Sequence, residues 1–202
     1  MCTIRLANRD DFSEIVSVHK KCFRESFSST LPNDVLESYY LEYFSQHHLF
    51  FIAEENNTII GFVMGYESGT TAYSSFIKNN RLVLLQTILK NLIICNRITW
   101  KKLCVVLRDK LSKNNTIIYE NIKNASKYGD LLSICVIEQY RGTGIALELV
   151  NSFEKELINR NITSYYLSLY PENERGYHFY QKLGMRKVQE SKNNIVMYKT
   201  IR

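Results

Sequence analysis

The chain has 202 residues, 45% of them hydrophobic and 23% charged, with 2 prolines and 8 glycines. That is enough apolar chain for one good core and too little proline and glycine for linkers or low-complexity tracts, so one globular domain over 1–202 is expected. The net charge is +6, the opening MCTIRLANRDD has no apolar signal region, and Cys2, Cys22, Cys95, Cys104 and Cys135 form no C-x-x-C pair. A cytoplasmic chain with reduced thiols is expected, and neither these cysteines nor His19, His47, His48 and His178 have metal-ligand spacing, so no metal is expected.

In chain order, 3–7 reads as a short strand, and Asn8 can cap a helix over 9–23 with Phe12, Ile15, Val16 and His19 on one side. Asn33 precedes a second helix over 34–45. Residues 49–54 and 58–67 read as strands joined by Glu55-Asn56-Asn57, a hairpin. An insertion over 68–128 follows. Between Gly69 and Gly129 it holds eleven Lys and Arg against Asp109 and Glu120, or +9, leaving −3 for the rest of the chain. Residues 81–95 are expected to be helical with a wide apolar face, and Trp100, Leu103, Cys104, Val106, Leu107 and Leu111 continue the pattern in a second helix. The first stretch is too short and too interrupted to span a bilayer. Three readings remain for 78–113: a helical lid on the core, a membrane-surface element, or a source of cations for an acidic acceptor. No nucleic-acid motif is present.

Residues 131–137 have the length and β-branched content of a buried strand. Gln139-Tyr140-Arg141-Gly142-Thr143-Gly144 breaks it, and Ile145, Leu149, Val150, Phe153 and Leu157 then recur at helical spacing. A glycine turn opening a helix aims unpaired backbone N–H groups at one spot, where the helix dipole is also positive. Arg141 adds a charged donor, and a phosphate or pyrophosphate ligand is expected. Neither G-x-G-x-x-G nor G-x-x-x-x-G-K-[ST] is present. A further strand, 164–169, leads into Asn173, Gly176, Tyr180, Gly184 and Met185 at fixed spacing.

Taken together, the strand–Gln-x-x-Gly-x-Gly–helix phrase and the Asn173–Met185 segment resemble the GCN5-related N-acetyltransferase superfamily. The resemblance implies an α/β acyl-CoA N-acyltransferase fold: a mixed, mostly antiparallel sheet of about seven strands flanked by helices, with the helical insertion between strands 3 and 4. Two last strands, 186–190 and 195–199, complete the order βααββ, insertion, βαβαββ. It further implies acetyl-CoA as co-substrate. Ile134, Cys135 and Val136 would pair with its pantetheine, and a backbone N–H near Val136 would serve the thioester carbonyl. Gln139, Tyr140, Arg141, Gly142, Thr143, Gly144, Ile145 and Ala146 would wrap its pyrophosphate, and Asn173 would flank its arm. Glu138 stands where relatives often carry proline, a charge unfavourable there unless it points away or pairs with Arg141.

Acetyl transfer to an amine needs a neutral nucleophile, a polarised carbonyl and a proton for the departing thiolate. Tyr180 is the candidate general acid. Asp130, at the start of the fourth strand, leads Glu67 and Glu54 as candidate base acting through water. Direct transfer gives Cys135 no nucleophilic role. The basic insertion suggests a small, acidic amine acceptor such as an amino sugar or sugar nucleotide. The alternatives are a peptide or protein amine, and a non-catalytic acyl-CoA-binding or membrane-surface module. A homodimer is compatible with such folds.

Overall fold

The computed structural model describes residues 2–47, 49–94, 96–100 and 127–202. The strands are β1 (Thr3–Leu6), β2 (Phe50–Glu55), β3 (Thr58–Glu67), β4 (Gly129–Val136), β5 (Ser164–Leu169), β6 (Arg186–Glu190) and β7 (Ile195–Thr200). They form one seven-stranded sheet in the order β1-β2-β3-β4-β5-β7-β6, antiparallel throughout except where β4 meets β5. Helices α1 (Phe12–Cys22), α2 (Asn33–His47) and α3 (Ala72–Ile93) lie towards one face, and α4 (Ile145–Asn159) covers the other, followed by α5 (Glu174–Lys182). This is the mixed, helix-flanked sheet expected from the sequence.

Strand alternation divides the core in two. Phe51 and Ala53 of β2 join Leu149, Phe153 and Leu157 of α4, whereas Phe50 and Ile52 join Phe12 and Ile15 of α1 and Leu36 and Tyr40 of α2. Burial on both faces is why β2 and β3 read as continuous apolar runs. Each such Phe or Leu contributes about 1.5–3 kcal/mol when fully buried. Asn56 and Asn57 hold positive φ (49° and 59°) in the hairpin, the left-handed geometry that a two-residue turn requires.

Several boundaries differ from the expected ones, each for a local reason. The helix expected over 9–23 opens as a 3₁₀ turn, Arg9–Asp11, before α1 begins at Phe12. Asn8 caps Asp10, Asp11 accepts the Asn8 N–H at 2.7 Å, and Arg5 forks onto Asp11 at 2.8 and 2.9 Å. Asn33 is the first residue of α2 rather than its cap, because the Pro32 carbonyl accepts the Leu36 N–H at 3.0 Å and Lys20 takes the Asn33 amide oxygen. In the insertion α3 begins at Ala72, well before residue 81, because Gln46 accepts the Thr71 N–H and Thr70 accepts that of Ala72. Asn96 opens a new helical turn that reaches Trp100, accepting the N–H groups of Ile98 and Thr99 at 3.1 Å. The remainder of the second insertion helix expected there, with Leu103, Cys104, Val106, Leu107 and Leu111, lies outside the described residues.

Two irregularities in β4 shape the site. Its register with β3 jumps from Gly65↔Leu131 to Met64↔Ser133, so Leu132 is an extra, bulged residue. Its parallel pairing with β5 covers only Gly129↔Tyr165 and Asp130↔Tyr166. Beyond that point the two strands part. Leu132–Cys135 are accordingly only half-buried although β4 is the middle strand of the sheet.

Candidate active site

The chain leaving β4 builds an anion cradle from its own backbone. A 3₁₀ turn over Glu138–Tyr140 ends where the Arg141 N–H bonds the Glu138 carbonyl. Gly142 and Gly144 then take positive φ, 86° and 94°, a conformation that costs an L side chain about 1–2 kcal/mol. Gly144 caps α4, its carbonyl accepting the N–H groups of both Leu147 and Glu148. The N–H groups of Gly142, Thr143, Gly144, Ile145 and Ala146 have no acceptor among the described residues. No atom stands within 4 Å of where a Cβ would sit on Gly142 or Gly144, so the cradle is open. Free donors, the positive end of α4 and the Arg141 guanidinium suit a pyrophosphate in charge and shape. Gln139 and Glu138 are exposed, and Glu138 forms no ion pair with Arg141 among the described residues. Arg141 instead donates Nε to the Val136 carbonyl at 3.2 Å, and the Thr143 hydroxyl donates to the Tyr140 carbonyl at 2.7 Å.

The gap between β4 and β5 continues the cradle. The Ile137 N–H bonds the Ile60 carbonyl on β3, so by alternation Cys135 also pairs towards β3, while Ile134 and Val136 turn their backbone groups to the open side. An extended amide-bearing arm laid in the gap would meet the Ile134 backbone groups and the Val136 N–H, the Val136 carbonyl being taken by Arg141. Tyr180 lies in the cluster on the α4 face with Ile145, Tyr165 and Leu169. Its ring is buried, its hydroxyl finds no partner among the described residues, and burial alone pushes the phenol well above its ordinary pKa. It therefore stays protonated at every working pH, and more firmly than a solvated phenol would.

On the opposite face of the sheet, Tyr66, Asp130, Tyr166 and Tyr198 stand in one register row across β3, β4, β5 and β7. The Tyr66 hydroxyl donates to Asp130 at 2.9 Å, and the Tyr166 and Tyr198 rings lie 4.8 Å apart. Tyr43 of α2 packs against Tyr66, with Tyr39 beside it. Burial, reinforced by the Asp130 charge, pushes the Tyr43 phenol up to about 12. The result is an anion floored and walled by tyrosines, an environment for a cation.

Other expected residues go elsewhere. Glu67 is held by Arg160 at 2.7 Å on the α4 side, at the far end of β4 from the cradle, and Glu54 is held by Arg5 at 2.6 Å between β1 and β2. Neither carboxylate joins Tyr180 or the cradle. Asn173 uses its side-chain oxygen to cap α5, accepting the Gly176 N–H at 3.0 Å. A Cβ on Gly176 would meet the Asn173 amide at 2.7 Å, the physical reason for a small residue there. Cys135 faces α1 and hydrogen-bonds Cys22; burial pushes its thiol up, the opposite of what a nucleophile needs. His19 is a group that sequence reading left on an apolar helix face. Its Nδ1 meets the Tyr40 hydroxyl at 2.5 Å and its Nε2 the Ser28 hydroxyl at 3.0 Å, and Tyr40 in turn reaches Ser133 on β4.

A sheet splayed beside a bulged middle strand, with a glycine cradle at that strand's end, has the architecture of the acyl-CoA N-acyltransferase fold. The model of the acetyltransferase (GNAT) family matches residues 109–185, which contain β4, the cradle and α5. Over 192 residues the chain is 24% identical to an N-alpha-acetyltransferase of Saccharolobus solfataricus, covering 93% of this chain and 81% of that one. Among solved structures it is similar to arylalkylamine N-acetyltransferase 2 from Aedes aegypti, with TM-score 0.64, 14% identity and coverage of 100% and 99% of the two chains. It is also similar to the PaiA N-acetyltransferase from Thermoplasma acidophilum in complex with coenzyme A, with TM-score 0.56, 15% identity and 99% of each chain covered. Residues 109–185 thus match the GNAT acetyltransferase family, and the chain is an acetyl-CoA-dependent N-acetyltransferase.

Proposed function

We propose that the acceptor is the α-amine of a peptide or protein, delivered as an ammonium over Asp130. The observation that carries this reading is the register row Tyr66–Asp130–Tyr166–Tyr198, with the Tyr66 hydroxyl fixed on the carboxylate. A buried-edge carboxylate among aromatic faces attracts a cation through its charge and through the ring quadrupoles. The diphosphate of a sugar nucleotide would meet the wrong sign of charge there, so the basic insertion is a weaker guide to the acceptor than this pocket. The name of the archaeal relative points the same way.

In the proposed reaction Asp130 accepts a proton from the ammonium, directly or through water, and frees the nitrogen lone pair to attack the thioester carbonyl. The carbon–sulfur bond breaks, and the Tyr180 O–H supplies a proton to the departing sulfur. Ile134 and Val136 hold the acyl arm through backbone groups, and the cradle with Arg141 holds the diphosphate. Acetyl-CoA supplies the activated acyl group; the chain supplies position, charge and the proton.

Thiol release from acetyl-CoA, measured with peptides, arylalkylamines, polyamines and amino-sugar nucleotides, tests the reading. Peptide-dependent release is expected, with Asp130→Asn losing kcat/KM by 10–100-fold while its acetyl-CoA affinity holds. Tyr180→Phe should lower kcat by about 10²-fold or more, as loss of a general acid does. Release driven best by a sugar nucleotide would overturn the acceptor. Tight acetyl-CoA binding with no release by any amine would favour the binding-module reading.

A further inference from the structure

Helix α3 is built inside out. Its inward stripe is Ala72, Phe76, Leu84, Thr87 and Asn91, all buried, with Asn80 half-buried among them, at the three- and four-residue spacing of one helix face. Three of those six are polar: Asn80 donates to Ser38 of α2, Asn91 donates to Thr30, and Thr87 donates to the Val83 carbonyl of its own helix. The opposite face carries Leu82, Leu85, Leu89 and Ile93, which are 66%, 54%, 50% and 80% exposed. A soluble helix places these the other way round. Of the thirteen exposed large hydrophobics among the described residues, nine fall between Tyr73 and Trp100, and four of them share this one face of α3.

The charges say what covers it. Lys78 lies within the apolar stripe, Arg81 and Lys90 flank it on either side, all three are exposed, and α3 contains no Asp or Glu. A second copy seated face to face would oppose like charges at every flank. No helix among the described residues is long and apolar enough to cross a membrane. An apolar stripe between two cationic rims fits a plane with an oily interior and anionic headgroups.

We propose that the outer face of α3 is a docking surface for an anionic lipid bilayer, with Leu82, Leu85, Leu89 and Ile93 entering the headgroup boundary and Lys78, Arg81 and Lys90 meeting lipid phosphates. The surface is independent of which amine the enzyme acetylates. Trp100 is the only tryptophan of the chain and is exposed at the end of the patch, so its emission reports docking.

Full-length protein is mixed with vesicles of phosphatidylcholine alone or with 30% phosphatidylglycerol, and sedimentation and Trp100 emission are read at low and high salt. Expected are co-sedimentation and a blue shift with the anionic vesicles only, weakened at least 10-fold by Leu85→Asp with Leu89→Asp and reduced by Lys78→Glu with Arg81→Glu. Both variants should keep acetyl-CoA affinity, which guards against misfolding because α3 packs in the α1–α2 cluster and contributes no residue to the cradle. Absence of sedimentation, or equal binding to neutral vesicles, overturns the proposal. A wild-type dimer that Leu85→Asp with Leu89→Asp turns into monomer, without vesicle binding, assigns the face to a second copy instead.

Discussion

His19 is a neutral imidazole at physiological pH because the protein gives its charged form nowhere to be solvated. It is 5% exposed, flanked by Phe23 and Tyr40, and spends both ring nitrogens on the hydroxyls of Tyr40 and Ser28. Burial, with the neighbouring Lys20 charge, lowers its pKa from 6.5 to about 4. The unfolded chain therefore binds a proton between those two values that the folded chain refuses. Stability from this group is fully present above pH 6.5 and drains away as pH falls towards 4, by about 3 kcal/mol in total. Chemical denaturation from pH 7 to pH 4 should show that loss in the wild type. His19→Gln should begin less stable and run flatter over the same window; parallel curves would mean that other groups dominate acid unfolding. Tyr180 behaves in the opposite sense. Burial holds its phenol well above the ordinary value, so no alkaline limb from this residue should enter the kcat profile below about pH 10.

Strand β4 carries the candidate site because it is regular on one edge and unfinished on the other. Against β3 it keeps a ladder, broken only at the Leu132 bulge; against β5 it keeps two register pairs. Amide exchange should separate the two edges. In the free protein the Cys135 and Ile137 amides, which pair towards β3, should exchange slowly, and those of Ile134 and Val136 quickly. Saturating acetyl-CoA should slow Ile134 and Val136 selectively, and no change at these two amides would mean that the arm is not laid in the gap. The cradle was legible in sequence because left-handed turns demand glycine, which makes Gly142 and Gly144 visible without neighbours, and Tyr180 is fixed by its distance from Asn173 and Gly184 on one helix. The row Tyr66–Asp130–Tyr166–Tyr198 was not legible. It exists only once four strands, spread over more than a hundred residues, are in register, and nothing local distinguishes these three among 14 tyrosines. The polarity of α3 was legible only as a wide apolar face, since spacing says which residues share a side and not which side turns inward.

The molecule as a whole is two half-sheets that share little backbone. β1 to β4 form one and β5, β7 and β6 the other; between them stand the Gly129↔Tyr165 and Asp130↔Tyr166 pairs and the packing of α4 across the joint. Phe153 and Leu157 of α4 reach both halves, and Gly65 and Gly129 are glycines partly because a Cβ on either would strike those side chains at 2.5 and 2.9 Å. In the proposed site, a ligand seated in the cradle and lying along the gap would touch the end of β4, the start of α4 and the Tyr180 helix at once, and would tie the halves together where the sheet does not. Binding only to the folded state at 100 times Kd adds about 2.7 kcal/mol, which for a chain of this size raises Tm by roughly 5–10 °C. Gly144→Val separates that linkage from intrinsic stability. A β-branched side chain at φ 94° is strained by about 1–2 kcal/mol and fills the open space before the free N–H groups. The variant should melt a few degrees below wild type alone and should show little of the acetyl-CoA shift. A full shift in Gly144→Val would mean that the diphosphate is held by side chains such as Arg141 rather than by the backbone cradle, and a Tyr180→Phe control, whose change lies at the sulfur end of the gap, should keep its shift in either case.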